Sequence, residues 1–183
     1  IPNDSARVAQ LKAGQLDLIT RVPAADVAAL RRDPKLLVET VDTVYVFNLE
    51  MDQREKTPDG QISAKDGSPL ASNPLRDRRV RDAIDLAIDR AALAEIAMEG
   101  LGKAVNQLVT PSIFGYSQKL GMRKPDVQQA KALMKEAGYP DGFATDLECS
   151  VQQPTDALCQ AISGMLSRVG IKATYRPLPF NVL

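Results

Sequence analysis

Apolar residues recur at helical spacing along some stretches of the chain and alternate along others, and these two periods lay out its elements. Val80, Ile84, Ala87, Ile88 and Ala91 form one stripe of a helix that is entered through Asn73-Pro74, with Asp77 as its N-cap. The stripe continues through Leu93, Ile96 and Ala97 and stops at Gly100. Earlier, Asn3 or Asp4 caps a helix bearing Ala6, Val8, Ala9, Leu11 and Ala13, with Gly14 just past its end. A second helix starts at Pro23 and carries Val27, Ala28 and Leu30. It ends before Asp33-Pro34, because the residue preceding a proline avoids the α conformation. Asp126 caps another helix, with Val127, Ala130, Leu133, Met134 and Ala137 inward, closed by Gly138 and the turn Tyr139-Pro140-Asp141-Gly142. The last helix runs from about Thr155 to Val169, buries Leu158, Ile162, Met165 and Val169, and ends at Gly170.

Strands are predicted at Leu16–Ile19, Lys35–Val41 and Thr43–Glu50. In the third, Val44, Val46 and Asn48 share one face and Tyr45, Phe47 and Leu49 the other. Later, Thr145, Leu147 and Cys149 alternate with Ala144, Asp146 and Glu148, and Ile171–Arg176 forms a final strand. Strand, helix and strand then make a C-terminal βαβ unit, whose crossover is expected to be right-handed. The segment 51–72 holds Pro58, Gly60, Gly67, Pro69 and many charges without an apolar period, and reads as a mobile loop. The fold class is α/β.

Composition narrows the chemistry. The 183 residues carry 23 basic and 23 acidic side chains, a balance that argues against a nucleic-acid surface or a polybasic membrane patch. No apolar run reaches the roughly 20 residues that span a bilayer. The chain opens on Ile1-Pro2-Asn3-Asp4, without a signal-peptide pattern. Histidine is absent, which excludes Ser-His and Cys-His couples and His-ligated zinc, and two cysteines cannot build a four-thiolate site. No metal or other cofactor is expected.

The wording of four segments carries a resemblance. Asn73-Pro74-Leu75, Asp77, Val80-Arg81, Ala83 and Ala87-Ile88-Asp89-Arg90 resemble the segment just past the hinge in the peptide- and nickel-type extracellular solute-binding proteins of ABC importers. Leu11-Lys12-Ala13-Gly14-Gln15-Leu16-Asp17-Leu18, Ala130–Pro140 and Leu166–Ile171 resemble further segments of the same family, in the same order. The resemblance implies an internal part of a two-lobed periplasmic-binding-protein fold. Residues 1–50 would end the first lobe and include the hinge strand, 51–72 would be a loop insertion, and 73–183 would open the second lobe, with the βαβ unit inside it. It also implies a periplasmic or cell-surface setting and a membrane permease as partner. The solute would be small: a peptide, opine, sugar or metal chelate.

On that reading Tyr45, Phe47 and Asn48 are the candidates for ligand contact, since the family's hinge strand passes beneath the cleft. Ordinary strand packing is the alternative for each. Arg78, Arg79 and Arg81 invite a helix-turn-helix reading, but Asp77, Asp82, Asp85 and Asp89 interleave with them and would repel phosphate. Asp17, Glu39 and Glu50 are the carboxylates that a hydrolase would need, with nothing to fix their separation. A helix-mediated regulatory module and a carboxylate hydrolase therefore stand behind a non-catalytic solute-binding function. Residues 1–50 lack the other strands of their lobe and are expected to be poorly ordered or to self-associate. Cys149 ends a strand on its inward side, and Cys159 lies in the first turns of the helix folding back over it. With Pro154 reversing the chain between them, a disulfide is expected.

Overall fold

The computed structural model describes residues 1, 3–56, 60–151 and 154–179. They form two compact units, 1–43 and 44–183. In the first, α1 (Asp4–Lys12) and α2 (Ala24–Leu30) bury Val8, Val27 and Leu30. Asn3 caps α1 by accepting from the Ala6 amide at 2.9 Å, and Gly14 takes the positive φ of 70° that follows the helix. Arg7 stitches this unit together, donating to the carbonyls of Ile1 and Arg21 at 3.0 and 2.9 Å.

The second unit is built on a three-stranded sheet of order β1 (Ile62–Ser63), β2 (Phe143–Ser150) and β3 (Ile171–Leu178). β1 pairs antiparallel with β2, Ile62 opposite Thr145. β2 and β3 run parallel, from Phe143 opposite Ile171 to Ser150 opposite Leu178. Between them passes α6 (Thr155–Ser167), which packs on the sheet through Leu158, Cys159, Met165 and Leu166. Behind it lie α3 (Arg78–Ala87), α4 (Arg90–Met98) and α5 (Val127–Glu136). Val80, Ala83 and Ile84 of α3 meet Ala130 and Met134 of α5 in one core with Phe143, Leu147, Ile171 and Ala173 of the sheet. Tyr139 closes that core edge-on against Phe143, ring centroids 5.8 Å apart.

Two turns meet backbone to backbone at the start of the parallel pair. Gly142 and Gly170, with φ of 76° and 89°, each directly precede a strand. A Cβ on Gly142 would lie 1.9 Å from the Gly170 carbonyl oxygen, so only glycine fits.

Several expectations are corrected. The single helix predicted from Asp77 to Glu99 is two. Ile88 turns to an extended conformation, and Asp89 caps α4 through the Ala92 amide at 3.0 Å. The stretches Leu16–Ile19, Lys35–Val41 and Thr43–Glu50 form no strands, because no neighbouring strand lies beside them among the described residues and alternation alone does not close a ladder. The segment 51–72, expected to lack an element, contributes β1, while Met51, Ile62 and Leu70 pack against the core. On α3, Arg78 pairs with Asp82 one turn on, at 3.7 Å. Arg81 instead donates to the carbonyls of Leu75 and Arg76, and Asp85 pairs with Arg90 and Arg123.

Candidate functional site

Tyr45, Phe47 and Asn48 lie on one segment outside any helix or strand, at the start of the second unit. Tyr45 and Phe47 are 79% and 50% exposed, so neither ring is spent on the core. Asn48 is exposed and donates to Glu50 at 3.2 Å. Immediately after them the chain is gripped. Leu49 and Met51 turn onto the core, and Asp52 folds around Arg54, accepting from its amide at 2.9 Å and from its guanidinium at 2.6 Å. Those side-chain bonds from Arg54 hold the Asp52 carboxyl below its ordinary pKa. The side chain of Asn73, 7% exposed, then donates to the carbonyls of Asp52 and Arg54. Sequence reading placed Asn73 at the entrance to a helix and in the family-like segment, without these upstream partners.

A second group of residues gathers where β2 and β3 end. In open α/β sheets ligands settle outside the carboxyl ends of the parallel strands. Here that end is cross-linked twice. Cys149 and Cys159 form a disulfide with Cα atoms 6.6 Å apart, tying the last turn of β2 to the first turns of α6. On β3, the Tyr175 hydroxyl donates to Asp156 in the first turn of the same helix. That bond, followed by burial and the carboxylate's charge, raises the Tyr175 pKa. The residue that opens α6, Pro154, supplies no side-chain cap.

The outward face of the sheet is polar. Gln61, Ser63, Asp146, Lys172, Thr174 and Arg176 line a shallow basin of about 170 Å³, in which Arg176 pairs with Asp146 at 3.2 Å. Such a polar lining is what a solvated sheet face carries. Among the described residues no cluster of His, Cys, Asp or Glu could hold a metal ion, and no helix is long and apolar enough to cross a membrane. The segment Tyr45–Asn48, the Cys149–Cys159 end of the βαβ unit and the carboxylates Asp17, Glu39 and Glu50 are three separate stretches of chain. Of those carboxylates, Asp17 and Glu39 belong to the first compact unit and Glu50 to the second.

Residues 1–183 match the bacterial extracellular solute-binding proteins, family 5, middle region. The Heme-binding protein A of Haemophilus influenzae is 31% identical over 150 residues, 80% of this chain and 24% of that protein. The Dipeptide-binding protein of Escherichia coli is 26% identical over 177 residues, 94% of this chain and 30% of that protein. Among solved structures, the dipeptide-binding protein of Pseudoalteromonas sp. SM9913 in complex with Met-Leu superposes with a TM-score of 0.72 at 21% identity, over all of this chain and 34% of that one. The chain thus spans about a quarter to a third of the length of these relatives, and its architecture is that portion of their two-lobed fold.

Proposed function

Because the chain belongs to family 5 of the bacterial extracellular solute-binding proteins, we propose that it serves as part of the solute-capturing component of an ABC importer. The match of all 183 residues to that family is the observation that carries the reading. Capture would bury a small, peptide-like solute between two lobes by hinge closure, with strand-end residues absorbing the motion. Tyr45 and Phe47 would offer exposed rings to the solute's side chains and Asn48 an amide to its backbone. The carboxyl end of the βαβ unit would face the same ligand space. Relatives named for heme and dipeptides are binding proteins, which supports capture without catalysis. The release partner would be a membrane permease, and the setting a periplasmic or cell-surface one, where the Cys149–Cys159 bond persists.

The test is calorimetric titration of a protein of the relatives' full length that carries this chain. Mixed dipeptides, heme, opines, sugars and nickel chelates are the probes. Saturable binding without turnover of a peptide-like solute, weakened by Tyr45→Ala, is the expected result. Conversion of any probe to product would overturn the reading. The 183-residue chain alone is expected to bind none of them below micromolar, because it spans only about a quarter to a third of the relatives' length.

A further inference from the structure

Asn73 reaches back from the entrance of α3 to the segment carrying the ligand candidates. Its Nδ2 donates to the Asp52 carbonyl at 2.8 Å and to the Arg54 carbonyl at 2.9 Å, residues 21 and 19 positions earlier. Its Oδ1 meanwhile accepts from the Leu75 amide at 2.9 Å. Both amide protons and the carbonyl are thus used, in a side chain only 7% exposed. The last of these bonds is an ordinary Asx turn that starts a helix. The first two are not local at all. They satisfy two carbonyls of a segment that has no strand beside it among the described residues, so one carboxamide takes the place of a neighbouring strand.

The position of this clasp decides its consequence. Residues 44–48 are in no ladder, and Asn48 sits four residues before Asp52. At about 3.3–3.6 Å per extended residue, Asn48 swings within roughly 14 Å of the clasp and Tyr45 within roughly 25 Å. Leu49 and Met51 add apolar contacts between clasp and candidates. We propose that Asn73 is a positioning residue: it pins the chain at Asp52–Arg54 and so sets where Tyr45, Phe47 and Asn48 stand, confining hinge motion to the residues before Leu49. This rests on the solute-binding reading of those three residues. The chemistry required is narrow, because an aspartate of the same shape keeps the acceptor for Leu75 but turns a carboxylate toward two carbonyl oxygens. A serine keeps a short capping oxygen and reaches neither carbonyl.

The chain contains no tryptophan, so Tyr45→Trp places a single indole reporter on the segment. In that background, Asn73→Asp and Asn73→Ser are compared with the parent by amide exchange and by anisotropy of the indole fluorescence, without any solute. The expected result is exchange of residues 49–56 faster by roughly tenfold to a hundredfold, with lower anisotropy, while the amides of α3 and α5 keep their protection. Unchanged exchange at 49–56 in the folded serine variant overturns the proposal, as does loosened exchange with unchanged anisotropy. In the full-length protein with Tyr45 retained, the same Asn73 variants, titrated with mixed dipeptides, are expected to bind about tenfold more weakly with little change in melting temperature. Unaltered affinity there overturns the positioning role. If the parent binds none of the dipeptides, heme, opines, sugars or nickel chelates, the solute-binding reading falls, and the exchange and anisotropy results still decide the clasp.

Discussion

Cutting the Cys149–Cys159 link should destabilise the second unit by an amount that can be worked out. The cysteines are 10 residues apart. Closing a loop of that size removes about 9 cal/mol/K of chain entropy from the unfolded state, or about 2.7 kcal/mol at room temperature. Both cysteines are buried, so replacing them with alanine also loses apolar contact, on the order of 1 kcal/mol. Comparing oxidised chain, reduced chain and Cys149→Ala/Cys159→Ala separates these effects. The first difference reports the link and the second the packing. All four tyrosines, Tyr45, Tyr116, Tyr139 and Tyr175, belong to the unit that starts at Val44, and with no tryptophan present their fluorescence reports that unit alone. Urea unfolding followed this way should show a loss of about 2–3 kcal/mol on reduction, with a larger m-value, because the uncrosslinked chain is more expanded when unfolded. At about 2–4 °C per kcal/mol, the melting temperature should fall by about 5–10 °C. Oxidised and reduced chains within about 0.5 kcal/mol of each other would refute the reasoning, as would two free thiols in the unfolded, unreduced protein.

Three more outcomes follow from the same geometry. Gly142→Ala should destabilise the second unit by more than about 3 kcal/mol, since its Cβ meets a backbone carbonyl and its φ is positive; urea midpoints near the parent's would count against it. Met134→Ala, at a side chain 1% exposed between α3 and α5, should cost about 2–5 kcal/mol in the same assay. Tyr175, donating to Asp156, has a folded pKa raised above its ordinary value near 10, so this bond's contribution is complete below that value and lost as pH rises through the folded pKa. Absorbance titration should show Tyr175 ionising above its ordinary value, and Asp156→Asn should lower that ionisation.

The helix ends were legible because their signals are local. Asn3, Asp77 and Asp126 each accept from an amide two or three residues on, as their sequence neighbourhoods predict. Asp89 carries the same signal, yet the apolar stripe runs unbroken across it from Ile84 to Leu93 and hides the break at Ile88. The βαβ unit was legible from a change of period at 143–178. The strands expected at 16–19, 35–41 and 43–50 were not, because a ladder depends on a neighbour that local alternation cannot supply. Asn73 escaped for a related reason: its carbonyl partners lie some 20 residues upstream, and no pattern in the sequence joins them. Arg81 likewise reaches carbonyls of the preceding turn rather than the carboxylate at its helical neighbour position.

The contact between Gly142 and Gly170 acts as the zero mark of a ruler. Phe143 and Ile171, the residues just beyond the two glycines, are also the first pair of the parallel register. Every later pairing is counted from that mark, and with it the face on which each side chain falls. Inserting one residue between Gly142 and Phe143 would leave the contact in place and shift the count by one. Asp146 and Glu148 would then turn toward α6, and Leu147 and Cys149 toward water. Cys149 would point away from Cys159, so the chain would lose its covalent link through an error made seven residues earlier. Length between these two glycines and the strands they start is therefore under tighter constraint than the identity of most residues within the strands.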